Sequence, residues 1–155
     1  MKEIRFEVQI ISDTEFLKLP RHKTFSRTDW YMSDHRIRKM EIESGTVWYK
    51  IMSNQAMQAT KKKVIIQRPN LKDLEKFCII KLVMDSVRPV IDDTELYMEK
   101  VTASNKDKTV IFYSSEAEDA QGLKVMPLLK KVKCVKSIKK IGEKSLQSIA
   151  LSKLK

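Results

Sequence analysis

Glu3-Ile4-Arg5-Phe6-Glu7-Val8-Gln9-Ile10 opens the chain, and the reading of this stretch decides the fold. Apolar residues at 4, 6, 8 and 10 alternate with Glu3, Arg5, Glu7 and Gln9. Successive side chains of a strand leave by opposite faces, so the segment is a strand with one apolar and one charged face. The next charged stretch reads as a hairpin. Arg36 to Glu43 and Thr46 to Met52 flank Ser44-Gly45, a two-residue turn. That turn sets Lys39 opposite Lys50 and puts Lys50 on the face away from Arg36 and Arg38. A three-residue loop with a bulge would shift the register by one and bring the three together.

Further strands come later in the chain. Lys61–Gln67 is short and stops at Pro69, and Phe77–Met84 is apolar enough to be buried. Thr94–Thr102 alternates again, and Thr109–Tyr113 is short. Residues 13–35 are mixed and broken by Pro20, and 53–60 are loop or a single helical turn. Asn70 can cap a short helix over Leu71–Glu75. Ser114–Gly122 is acidic and polar, which predicts an exposed loop. Leu123–Val135 reads as a lysine-laced strand. Ile138–Leu154 reads as a helix, with Ile138, Ile141, Leu146, Ile149 and Leu154 on one side despite Gly142. Strands outnumber helices and no βαβ alternation occurs. The expectation is one α+β domain over residues 1–155: mainly antiparallel sheet or barrel, with a C-terminal helix. Three glycines and no Gly-rich loop argue against a P-loop or a dinucleotide fold.

The formal net charge is +11, which concentrates anionic partners around the chain. Its distribution is uneven. The segment 124–155 carries ten lysines and a single acidic residue, Glu143. Lys124, Lys130, Lys131, Lys133, Lys136, Lys139, Lys140 and Lys144 make a candidate nucleic-acid surface of the phosphate-tracking kind. Cys78 and Cys134 sit apart in apolar runs, which predicts free thiols in a reducing compartment. No apolar run approaches the ~20 residues of a membrane span, and no secretory leader is visible. The expected location is intracellular. His22 and His35 are isolated, and nothing supplies the ligand spacing of zinc.

Glu3-Ile-Arg-Phe6, Thr28-Asp-Trp-Tyr-Met-Ser-Asp-His-Arg-Ile-Arg-Lys39 and Val47-Trp-Tyr-Lys50 occur in that order. Together they resemble the triphosphate tunnel metalloenzymes and, within them, the metal-dependent RNA 5′-triphosphatases of viral and lower-eukaryotic mRNA capping. The resemblance covers about residues 1–52. It implies an eight-stranded antiparallel barrel lined with charge, in which basic side chains grip a triphosphate and glutamates hold Mg²⁺ or Mn²⁺. By that resemblance Arg5, Arg36, Arg38 and Lys50 bind phosphate. Glu3 is catalytic and a metal ligand, with Glu7 as the ligand of an alternative frame. Met1 stands where the family has its first glutamate. For the late glutamate strand the chain offers Glu95 with Glu99, or Glu116 with Glu118.

The implied activity is metal-dependent release of the γ-phosphate from triphosphate-ended RNA. Its partner is RNA rather than DNA, within a capping or transcription complex in cytoplasm, nucleus or viral factory. The competing reading is a basic nucleic-acid-binding subunit with neither catalysis nor cofactor.

Overall fold

Charged and apolar residues alternating along several strands can satisfy both faces of one sheet, provided that the charged face finds its own partners. The computed structural model describes residues 3–42, 44–53, 64–118 and 122–155, without the side chains of 22–25, 53, 64, 118, 122 and 123. In it the opening alternation is strand β1 (Glu3–Ile10). Ten more strands are present: β2 (Arg21–Tyr31), β3 (His35–Glu41), β4 (Val47–Ser53), β5 (Val64–Ile66), β6 (Ile80–Val87), β7 (Val90–Ile91), β8 (Thr94–Glu95), β9 (Met98–Ser104), β10 (Thr109–Glu118) and β11 (Val135–Gly142). Four helices are interspersed: α1 (Asp13–Leu17), α2 (Leu71–Phe77), α3 (Gly122–Lys130) and α4 (Leu146–Leu154). Nine strands form one antiparallel sheet in the order β11-β1-β10-β9-β6-β2-β3-β4-β5. The α+β class, the antiparallel sheet and the C-terminal helix agree with the sequence. Among the described residues no pairing joins β11 to β5, so the sheet is open.

The sheet separates two cores. On one face Ile4, Phe6 and Val8 of β1, with Val87 and Met98, pack against Phe16 of α1, Leu129 of α3 and Val132. On the other face Tyr31, Ile80, Leu82, Met84, Val101, Ala103 and Phe112 lie under Leu146, Ile149, Ala150 and Leu154 of α4. Helix α4 covers only one end of its face. The rest of that face carries the charge. No described helix is long and apolar enough to cross a membrane.

Several segments differ from the sequence reading: Phe77 ends α2 and the strand expected over Phe77–Met84 begins at Ile80, while Thr94–Thr102 is divided between β8 and β9. Leu123–Val135 is helical through Lys130, because Val125, Leu129 and Val132 recur at helical spacing toward the apolar core, even around Pro127. Ile138–Leu154 is divided: β11 ends at Gly142, whose φ is +99°, and α4 begins after the Ser145 N-cap, whose side chain accepts from Ser148 N. Ile138 and Ile141 matched a helical period, yet they belong to an edge strand with register shifts. Ser114–Glu118 continues β10, because Ser114 and Ser115 are buried and Ser115 Oγ donates to the Tyr97 carbonyl. Within residues 13–35, Arg21–Tyr31 is a long strand. The loop expected at 53–60 lies, apart from Ser53, outside the described residues. So does Lys61–Lys63 of the expected Lys61–Gln67 strand.

The hairpin register differs from the two-residue expectation. Lys39 faces Tyr49, and Arg38 faces Lys50. Gly45 N donates to the Ile42 carbonyl, Ile42 N donates to that of Thr46, and Gly45 has φ +84°. A left-handed residue closing a three-residue connection gives this register. Gly45→Ala, which puts a side chain at positive φ, is expected to cost about 1 kcal/mol in urea denaturation.

Candidate functional site

Strand alternation and the observed registers decide which charges meet. Arg5 faces Glu116, and Glu3 faces Glu118 in register. Ser114 of β10 and Ser86 of β6 flank Glu99 of β9. Asp29 faces Arg38, Tyr31 faces Arg36, and Arg38 faces Lys50. All of these positions belong to the α4 face. The one-residue shift at Gly45 therefore places Lys50 on the face of Arg36 and Arg38.

Glu99 is 1% exposed. Its Oε2 accepts from Tyr97 Oη at 2.6 Å and from Arg27 Nη2. Arg27 also donates to Tyr97 Oη at 2.6 Å. On the other side Arg5 Nη1 lies 3.7 Å from Glu99 Oε1, and Arg5 Nη2 lies 3.2 Å from Glu116 Oε2. Arg5 and Arg27 each reach Glu99 across an intervening strand, and small Ser114 and Ser86 are what stand beneath them. Burial and the Glu99 charge push the Tyr97 phenol well up, so it stays a neutral donor.

Asp29 is fully buried. Arg38 meets it in a fork, Nε at 2.7 Å and Nη2 at 2.8 Å. Two parallel charge-assisted bonds of this kind are the strong form of the pair. Arg36 Nε is 3.5 Å from Asp29, and its Nη1 donates to Tyr31 Oη at 3.3 Å. Three buried guanidinium nitrogens among the described residues have no hydrogen-bond acceptor, and two of them, Arg5 Nη1 and Arg36 Nε, belong to this face. An unmet buried donor costs about 1–3 kcal/mol, which the oxygens of a bound anion would relieve.

The face is electrically divided. Around β2, β3 and β4, Arg27, Arg36, Arg38 and Lys50 outnumber Asp29. Around β1, β9 and β10, Arg5 stands among Glu3, Glu99 and Glu116. Burial, with the charges of Glu99 and Glu3, raises the Glu116 carboxyl against the opposing pull of Arg5. Carboxylate oxygens suit Mg²⁺ or Mn²⁺, and this half has the charge for a cation. The geometry does not fit a preformed metal site: among the described residues no three acidic, histidine or cysteine side chains gather at ligand spacing. Arg5 already lies between two of the carboxylates. Glu3 and Glu7 share a face but stand four residues apart, about 13 Å along a strand, too far to share one ion. Glu7 instead pairs with Lys153 of α4.

The eight lysines of the expected nucleic-acid surface are divided by the sheet. Lys124 and Lys130 lie on α3, with Lys131 and Lys133 just beyond it, in the layer packed on the face opposite α4. Lys131 is paired there with Asp92 at 2.5 Å. Lys136, Lys139 and Lys140 are on β11, and Lys144 precedes α4. Arg27, Asp29 and Tyr97 escaped the reading of sites from sequence. The pattern Arg27-x-Asp29-x-Tyr31 is the same period-two signal as β1, hidden by Thr28 and Trp30 between them. Trp30 points to the other layer, where its Nε1 donates to Glu75. His22 falls among the undescribed side chains, and the His35 ring bonds Asp34 at 2.7 Å.

No protein-family model matches the chain, and none of the curated proteins does. Among solved structures, a Bacillus halodurans protein provisionally named as an adenylate cyclase is similar over 96% of this chain and 98% of its own. The two are 11% identical, with a TM-score of 0.46. A likeness that distant says nothing about chemistry, which rests on the residues of this chain.

Arg38→Met would strand Asp29 as a buried, unpaired carboxylate and is expected to destabilise by about 3–5 kcal/mol. The double variant Asp29→Leu/Arg38→Met should recover most of that loss in chemical denaturation. Glu116 gives a pH signature. Its folded carboxyl titrates above the ordinary 4.5, so the folded state holds more protons there and stability falls as pH rises through that window. Glu116→Gln should therefore be more stable than the parent at pH 7, and the gain should vanish on acidification to about pH 3.

Proposed function

We propose that the charged α4 face binds a triphosphate group, and that its ligand is the 5′-triphosphate end of RNA. The observation that carries this reading is the placement of Arg5, Arg36, Arg38 and Lys50 on one face of the sheet, two of them with a buried guanidinium donor unmet. The sequence resemblance singles out the same four residues as phosphate ligands, independently of any register. Arginine suits the role, because its fixed fork matches two phosphate oxygens at once. Asp29 keeps Arg38, and Glu99 keeps Arg27, in place before the anion arrives, so little ordering is left to do on binding. The chain's own residues thus bind and orient the phosphates, with Asp29 and Glu99 buried beside the guanidinium groups they hold.

A second reading, metal-assisted hydrolysis of the same triphosphate, has one observation in its favour. Glu3, Glu99 and Glu116 share the neighbouring half of the face, where burial, with smaller contributions from the Glu99 and Glu3 charges, raises the Glu116 carboxyl. The two readings separate in one assay. Inorganic tripolyphosphate and 5′-triphosphate RNA are titrated by calorimetry in EDTA, and phosphate release is followed with Mg²⁺ or Mn²⁺. Binding in EDTA is expected, with Lys50→Ala and Arg36→Gln each weakening it at least tenfold while the circular-dichroism spectrum is kept. Absence of binding in EDTA and with metal would sink the triphosphate reading. Metal-dependent release that Glu99→Gln abolishes would replace binding alone with hydrolysis.

A further inference from the structure

Beyond the triphosphate face, a cavity of about 790 Å³ lies between β11 and α4. Lys139, Lys140, Lys144, Lys153 and Lys155 line it, with Glu7 as the one acidic residue of the wall. Glu7 is already taken by Lys153. Among the described residues no carboxylate pairs with the other four lysines. Strand β11 is an edge of the sheet, so the groove is open along its length.

The groove touches the phosphate face at one point. Arg5 Nε donates to the main-chain carbonyl of Lys144 at 3.1 Å. Arg5 thus belongs to the charged face through Glu99 and Glu116, and to the mouth of the lysine groove through the turn that precedes α4. Helix α4 is held by its own apolar contacts with the sheet and by the Lys153–Glu7 pair, so the groove wall is a fixed part of the fold.

We infer that this groove carries the RNA chain that continues from the triphosphate, with its lysines set against successive backbone phosphates. The inference rests on the reading of the α4 face as the triphosphate site. A free nucleotide ends within that site, whereas a triphosphate-ended RNA must leave it. The exit past Arg5 and Lys144 leads along lysines that, among the described residues, pair with no carboxylate. Lysines of this kind read phosphate and not sequence, so the groove gives affinity for length and little preference among bases. Discrimination of an RNA end from a nucleoside triphosphate then comes from the second contact region, through its effective concentration.

The test uses the full chain and three ligands: inorganic tripolyphosphate, a 5′-hydroxyl RNA 12-mer, and the same 12-mer with a 5′-triphosphate. Each is titrated over a range of salt against the parent protein and against Lys139→Gln/Lys140→Gln, whose thermal unfolding checks the fold. The variant is expected to bind both RNAs at least tenfold more weakly, with a log–log salt slope smaller by about 1.4. It should bind tripolyphosphate as the parent does, and Lys139→Arg/Lys140→Arg should restore RNA binding. RNA affinity and slope unchanged in the Gln variant would overturn the groove. Loss of tripolyphosphate binding in the parent, with lysine-dependent binding of 5′-hydroxyl RNA retained, would uphold the groove and sink the triphosphate reading instead. Displacement of RNA by polyglutamate of matched charge and concentration would overturn the assignment to nucleic acid in favour of an acidic protein.

Discussion

Two carboxylates with almost no exposure, Asp29 and Glu99, govern this fold. A buried charge is tolerable only when paired and hydrogen-bonded, and each of these is met by arginine: Asp29 by the fork of Arg38, and Glu99 by Arg27 with the Tyr97 hydroxyl. These pairs tie β2 to β3 and β2 to β9, while Arg5 brings in β1. The sheet face outside the reach of α4 is held by electrostatics where an ordinary sheet would place a second apolar layer.

That arrangement exchanges stability for a prepared surface. Apolar residues of equal volume at these positions would hold a core as well or better. What the charges add is a set of guanidinium groups fixed in direction before any ligand comes. The polarity of the face follows from the same pairs. Cations gather on β2, β3 and β4, and carboxylates gather near β1, β9 and β10. On the acidic side burial, aided by the charges of Glu99 and Glu3, raises the Glu116 carboxyl. Helix α4 closes one end of the face, and its preceding turn brings the Lys144 carbonyl to Arg5.

Much of the fold could be read in the chain because period-two patterning is a local property. β1 and the stretch that includes β9 showed it, the β3–β4 hairpin was marked by its turn and β6 by its apolar run, and Asn70 caps α2 as its side chain predicts. The failures came where local and tertiary demands differ. Ser114 and Ser115 look like loop residues, but the interior takes them because small side chains are needed beside Glu99 and beneath Phe6. Val125, Leu129 and Val132 carry a helical stripe that interleaved lysines disguise. Arg27 and Asp29 are charged residues in a long strand, and a charge reads as solvent-facing until a partner on another strand is known.

Local patterning was enough to show a basic α+β protein built mainly on antiparallel strands, the first of them with one charged face. Alternation, charge count and the scarcity of glycine require no distant contacts to interpret. The sequence also marked Arg5, Arg36, Arg38 and Lys50. Pairing between strands places them on one face of the sheet. A single residue of hairpin register, set by Gly45 at positive φ, moves Lys50 from one face of the sheet to the other. The layering of α3 and α4 on opposite faces likewise divides one run of lysines into two surfaces. The hairpin turn is local, yet its two closures differ by one residue and Ser44-Gly45 suits both, while layering is a property of packing between distant segments that no local pattern encodes.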